Sequence, residues 1–288
     1  MRHYHEYDSF IGLVEHAVKH ADAGNGASHR PDKKKEWSGT AHFDEAVKLA
    51  TRGWKEGYEA VKQQSEALYG RVTAKMPVQE TVFREAPDVA VLDMGRVMEG
   101  APECWMEQED TDRYEDKPSN KTVHIVMNCT VSCGVDQKTI FTRGAAAVAL
   151  AEALELAGRS VKISIVIAIG GGWMTNTQPG ETVELRATVK DYDGRANYDL
   201  LAFALAHPAM LRRIGFAELE SFPQDVRHRF GFSLSGCYGS VIETGLDKGD
   251  LYFGGGHYDH QHWRSADTAE KWILTQLKAQ GVHIIGEE

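Results

Sequence analysis

The chain predicts an α/β protein with a doubly wound, mostly parallel sheet, and three observations carry that prediction. Residues 161–169 read V-K-I-S-I-V-I-A-I, a nearly continuous apolar run typical of a central strand covered on both faces. Residues 123–132 read V-H-I-V-M-N-C-T-V-S, an apolar strand that runs into side-chain oxygens at Asn128, Thr130 and Ser132. Helix-length segments at 141–158, 197–214 and 267–279 separate the strands, the alternation that builds such a sheet.

The elements follow in order. Apolar residues at Phe10, Leu13, Val14, Ala17 and Val18 have helical spacing, so residues 7–23 predict a short amphipathic helix with Asp8 or Ser9 as cap. Residues 22–40 are rich in Gly, Ser, Asn and Lys without periodicity, and read as a mobile linker near 24–38. Residues 40–72 predict two helices broken near Gly53 or Gly57, with Thr40 as an oxygen cap and Asp44 and Glu45 favourably placed against the helix dipole. A helical segment over 1–80 is therefore expected, then a connecting region over 81–122 and an α/β domain over 123–288. Within the connection, 88–98 is β-prone and 107–120 is acidic and reads as a solvated loop. Residues 181–191 alternate Val183, Leu185, Ala187 and Val189, as in a half-exposed strand paired antiparallel with its predecessor. His207-Pro208 should break or kink the helix at 197–214, because proline disfavours the α conformation of the residue before it. Short strands are expected at 251–254 and 282–285.

Bulk properties narrow the function. With 42% apolar and 26% charged residues the chain has the composition of a protein with a real core. A net charge of −10 argues against a nucleic-acid partner, because phosphate backbones are bound by clustered Lys and Arg. No apolar run approaches the roughly 20 residues of a membrane span, and the N-terminus lacks the apolar core of a signal peptide, so a cytoplasmic location is expected. Four cysteines in 288 residues make no disulfide framework, and free, mostly buried thiols are expected.

The order from residue 123 to 285, a strand ending in N-C-T-V-S, an Ala-rich helix, a strand pair, a helix, then L-Y-F-G-G-G before a last helix, resembles a von Willebrand A-like domain. In that family the first strand-end loop reads Asp-x-Ser-x-Ser and holds a divalent cation. Here it reads Asn128-x-Thr130-x-Ser132, so a neutral amide stands where hard cations draw affinity from a carboxylate. The resemblance implies a Thr and an Asp from later loops, for which Thr175 or Thr177 and Asp191 or Asp193 are the candidates. The stretches A-F-A-L-A-H-P-A-M-L-R-R at 202–213 and W-S-G-T-A-H-F-D-E-A-V-K-L-A-T-R-G-W at 37–54 resemble an uncharacterised family of phage and prophage proteins. That likeness implies host cytoplasm or a virion as the location and supplies no reaction.

Other constellations compete. His257, Asp259, His260 and His262 fall within six residues, a density that suits Zn²⁺, although the order His-x-Asp-His-x-His does not match the His-x-His-x-Asp-His loop of metallo-β-lactamase-type hydrolases and no His-Glu-x-x-His is present. Cys129 and Cys133 do not form Cys-x-x-Cys and read as core thiols. Gly-x-Ser-x-Gly is absent, and the glycines at 170–172 and 254–256 match no phosphate loop, so both read as strand-end turns. Arg212-Arg213 reads as a solvated basic helix end or an anion patch.

The leading expectation is a non-catalytic interaction or assembly protein with a degenerate metal site, no cofactor, and a protein partner meeting Asn128, Thr130, Ser132, Thr175, Thr177 and Asp193. The alternatives are a metal-dependent hydrolase built on the His257 to His262 loop, with Zn²⁺ or Mg²⁺ as its ion, and a virion structural component.

Overall fold

The computed structural model describes residues 1–20, 26–76, 79–84, 91–110, 122–172, 175–194, 197–232, 238–245, 247, 250–256, 261–282 and 284–285. The chain begins with strand β1 (Arg2–Tyr7), then helices α1 (Phe10–His20), α2 (Phe43–Arg52) and α3 (Lys55–Thr73). A separate three-stranded antiparallel sheet of order β2-β4-β3 comprises β2 (Gln79–Arg84), β3 (Val91–Leu92) and β4 (Trp105–Asp110), with the short helix α4 (Met94–Met98) between the last two. The main α/β unit follows: β5 (Thr122–Asn128), α5 (Gln137–Leu156), β6 (Ser160–Gly170), β7 (Thr182–Lys190), α6 (Tyr198–Ala206), a π-helix (Met210–Gly215), α7 (Phe216–Glu220), α8 (Gln224–Phe230), β8 (Ser240–Val241), β9 (Leu251–Phe253) and α9 (Ala266–Ala279).

The main sheet has the order β1-β7-β6-β5-β9, with β8 also paired to β6. The pairs β1–β7, β5–β6 and β5–β9 are parallel, whereas β6–β7 and β6–β8 are antiparallel. Strand alternation sorts the side chains. Val123, Ile125 and Met127, the isoleucines from Ile163 to Ile169, Val183, Leu185, Ala187, Leu251 and Phe253 join the helices in one core. The opposite face carries Val126, Val166 and Ala168, packed only by Ile242 and Tyr252 among the described residues.

The sheet is therefore mostly parallel, as expected, but the apolar residues of its helices join one face alone. A doubly wound sheet acquires its second helical layer when parallel strands are joined in both directions by right-handed crossovers. Here β7 runs antiparallel to β6, so the long return from β7 to β9 joins antiparallel strands and the handedness rule does not send its helices to the far face.

Helix α5 lies at the centre of the core. Asp136 caps it by accepting from the Thr139 N–H at 2.6 Å, and its alanines let neighbours approach closely. A Cβ at Gly144 would lie 2.5 Å from Ala206 Cβ on α6, so only glycine permits this helix crossing. Helix α6 ends at Ala206, and His207-Pro208 marks the break.

Several sequence expectations are corrected. The N-terminal segment is not wholly helical, because Arg2–Tyr7 forms an edge strand whose register runs from Arg2 opposite Thr182 to Tyr7 opposite Ala187. Its His, Tyr and Glu side chains gave no apolar alternation to read. Residues 26–41 are fastened to the core, with Ser28, Ser38 and Thr40 buried. Arg213, wholly buried on the π-helix, donates to the carbonyls of Ser28 (2.7 Å), Arg30 (2.6 Å), Thr40 (2.9 Å) and Ala41 (3.3 Å) and to the hydroxyls of Ser38 and Thr40. Arg212 donates to the Trp37 and Val135 carbonyls and lies over the Trp37 ring, and burial pushes its guanidinium down to about 10. The pair that read as a solvated basic end thus anchors a polar strap. Finally, residues 282, 284 and 285 form no strand, and the acidic stretch contributes its first four residues to β4.

Candidate functional site at the carboxyl edge of the sheet

At the end of β5, Asn128 is fully buried and its side chain is fully engaged. Its amide nitrogen donates to the Ile242 carbonyl and the Tyr252 hydroxyl, both at 2.9 Å, and its Oδ1 accepts from the Thr130 N–H at 3.0 Å. Thr130 is also buried, and its hydroxyl accepts from the Ala168 N–H at 2.8 Å, tying this loop to β6. Ser132 is half-buried, and its N–H donates to the Gly256 carbonyl at 2.8 Å. Gly256 in turn donates to the Thr130 carbonyl at 2.8 Å, so the loops after β5 and β9 are zipped together. Close approach explains the glycines: a Cβ at Gly255 would lie 2.2 Å from Val241 Cγ1, and one at Gly256 2.5 Å from Val131 Cγ1.

Below this seam lies Arg143 of α5, wholly buried. Its Nη2 donates to the carbonyls of Asn128, Phe253 (3.0 Å) and Gly254 (2.6 Å), a convergence of three backbone oxygens on one cationic nitrogen. Burial pushes the guanidinium pKa down, against the pull of Cys129, Tyr252 and Glu243. Burial likewise raises the neighbouring Cys129 thiol to about 12, so it is an inert core group, while Cys133 is exposed. Tyr252 is raised to about 12, first by burial and then by its hydrogen bond with Glu243. Arg143 was visible in the sequence as the one charge in the run I-F-T-R-G-A-A-A-V-A-L-A at 140–151, a signal that names a buried group without naming its partners.

The other predicted residues divide. Thr175 accepts from and donates to the Gly172 backbone at 2.8 Å and lies 3.3 Å from the Thr177 hydroxyl, so both close their own turn after β6. Asp193 follows β7, whose Lys190 stands opposite Ile163 near the start of β6, at the edge of the sheet away from Asn128. The nominated set is therefore not gathered at one point. His257, Asp259 and His260 lie outside the described residues, and His262 is exposed in the single turn Gln261–Trp263. Among the described residues no group of three or more His, Cys, Asp or Glu is disposed to hold a metal ion.

One constellation unforeseen in the sequence lies on the far face of the sheet. His124 Nε2 is 2.9 Å from Ser164 Oγ, and its Nδ1 is 3.3 Å from Asp250 Oδ2. Burial pushes the imidazole pKa down, with Asp250 pulling the other way. The connectivity is that of a hydrolytic triad, but Ser164 is 1% exposed in mid-strand, so its hydroxyl is closed to any substrate. The cluster fastens Asp250 to the sheet. Its signal was the His and Ser that interrupt two apolar runs on one face.

The fold and edge thus define an α/β protein with a mostly parallel, single-sided sheet whose strand-end polar groups face inward. The chain matches the family described as Domain of unknown function (DUF7192) over residues 2–284, and it belongs to that family. No curated protein and no solved structure gives a match. Among the described residues no single helix is long and apolar enough to cross a membrane; the bent pair Tyr198–Ala206 and Met210–Glu220 passes on composition, and most of its apolar residues are buried in the core.

Proposed function

We propose that this chain is a non-catalytic interaction or assembly module that meets a protein partner at the carboxyl edge of its sheet, around Ser132 and the loop containing Thr175 and Thr177. The observation that carries the reading is the inward engagement of Asn128 and Thr130 above the guanidinium of Arg143. The polar groups a divalent cation would need are already bonded, and a resident cation lies below them. Recognition there rests on shape and on hydrogen bonds from the loop rims. A von Willebrand A-like ancestry is part of the proposal, supported by the order β7-β6-β5-β9, the antiparallel β7 and the spacing of Asn128, Thr130 and Ser132.

The test is calorimetric titration of the purified chain and of Asn128→Asp with Mg²⁺ and Mn²⁺, beside elemental analysis and affinity capture. The wild type is expected to take up neither ion. Asn128→Asp loses two donated hydrogen bonds and faces the Ile242 carbonyl with a carboxylate, a loss of about 1–3 kcal/mol. A Ser132→Arg variant that stays folded is expected to lose the captured partner. Stoichiometric Mg²⁺ on the wild type would sink the neutral-edge reading, and a transition metal lost in His260→Ala would favour the hydrolase built on His257, Asp259, His260 and His262.

A further inference from the structure

We propose that the cleft between α3, α5 and the start of α6 binds a small aliphatic ammonium. The cleft has a volume of about 180 Å³, and its walls include Tyr58, Tyr198, Glu66, Glu152, Lys62 and Val148. The two tyrosine rings lie 5.9 Å apart, centroid to centroid. Aromatic faces attract cations through the ring quadrupole, and carboxylates beside them add charge complementarity.

The cleft is short of positive charge. Glu152 of α5 is held above the usual carboxylate range first by burial and then by Glu66 and Glu155, with Lys62 as the one opposing group. Lys62 also shows which chemistry fits: its ammonium lies 5.8 Å from the centre of the Tyr58 ring and 3.9 Å from a Glu66 oxygen. It stands on a flexible stem, close to half exposed, and contributes one charge against two carboxylates. A free ammonium entering the cleft meets the same ring and the same oxygens, with Tyr198 as second wall and with Val61 and Val148 as an apolar floor for its methylenes. The volume admits a molecule of a few carbons, and the net charge of −10 raises the local concentration of cations. Lys62 and the ligand compete for one position, which sets this site apart from any surface carboxylate pair. The site is remote in chemistry from the carboxyl edge and does not depend on the function proposed for that edge.

Isothermal titration with putrescine and with tetramethylammonium at constant ionic strength tests this, using the whole chain, Glu152→Gln, Tyr198→Ala and Lys62→Gln, each checked by circular dichroism. The wild type is expected to bind one equivalent saturably. Glu152→Gln should weaken binding about tenfold by removing a half-buried carboxylate, and Tyr198→Ala about fivefold by removing one wall. Lys62→Gln should bind about threefold more tightly, because an exposed competing pair is lost. No saturable binding by either the wild type or Lys62→Gln overturns the proposal, as does binding that both Glu152→Gln and Tyr198→Ala leave unchanged.

Discussion

The two faces of the main sheet hold the molecule together by different means. Toward the helices, strands β5, β6 and β7 present Val, Ile, Leu and Ala into a continuous core, and the stabilisation is apolar burial at roughly 25 cal/mol per Å². Toward the other side the same strands present His124, Ser164, Glu184 and Arg186, and the contacts there are polar: His124 with Ser164 and Asp250, and Glu184 with Arg2 at 2.9 Å and Arg186 at 3.5 Å. Parallel sheets ordinarily need both faces covered. This one tolerates an almost helix-free face because its alternate residues are polar and Ile242 and Tyr252 pack on the three apolar side chains that remain. The lesson is that one chain stretch, V-K-I-S-I-V-I-A-I, belongs at once to a dry core and to a polar surface, with the division falling between neighbouring residues.

The sharpest way to break the contrast lies on the helical side, where buried arginines are among the exceptions to apolar burial. Arg213→Met should cost about 3–5 kcal/mol in urea unfolding, because it leaves buried carbonyls and hydroxyls without their donor. Hydrogen exchange should show residues 28–41 losing protection first. A mutant as stable as the wild type would mean that the strap is held by other contacts.

Acid should also weaken the helical side. His207 is buried between Trp54 and Phe203, its Nδ1 accepts from the Ala209 N–H at 3.0 Å, and burial pushes its pKa down to about 4. The imidazole is therefore held neutral in the fold, while the unfolded chain takes up a proton near its ordinary 6.5. Its contribution is complete above pH 6.5 and is lost as pH falls toward 4, to a total of about 3 kcal/mol. Stability measured over that window should fall less steeply in His207→Gln. Below it, Glu181 takes over: burial raises its pKa, but hydrogen bonds from Arg229 and His3 outweigh this and hold it at about 2.

Adjacent residues on β6 give the finest comparison. Ile165→Ala opens a hole in the helical core and should cost about 3 kcal/mol, whereas Ser164→Ala removes one hydrogen bond to His124 and should cost about 1 kcal/mol. Equal losses would show that the polar face is as tightly coupled as the core.

Much of the architecture was legible. Helical periodicity located α1 to α3, the apolar run located β6, alternation located β7 and its antiparallel pairing, and His207-Pro208 located the break after α6. Illegible were the elements whose side chains are polar on both faces. Strand β1 carries His3, His5 and Tyr7 toward the helices, where buried carboxylates rather than apolar groups receive them: His3 meets Glu181 at 2.8 Å, and Tyr7 and His16 meet Glu218. The strap at 26–41 was illegible for the same reason, since its partner is a guanidinium 170 or more positions away. At the carboxyl edge the spacing of Asn128, Thr130 and Ser132 located the loop correctly at a strand end. It could not reveal which way the side chains face, because the residues that capture them, Ile242, Tyr252 and Ala168, belong to other strands and loops.

The π-helix at Met210–Gly215 has a consequence for how this chain tolerates change in length. A wide turn holds one residue more than an α-helical turn would, and Arg212 and Arg213 leave it in directions that serve different targets, Trp37 and Val135 for one and the 28–41 carbonyls for the other. Deleting a single residue here would let the segment relax into ordinary α-helix with the residues downstream still in phase, but Arg212 and Arg213 would no longer leave it in their two directions. The helix itself would improve while both moorings were lost. Indels at this point should therefore be far more damaging than substitutions, the reverse of what local helix geometry alone would suggest.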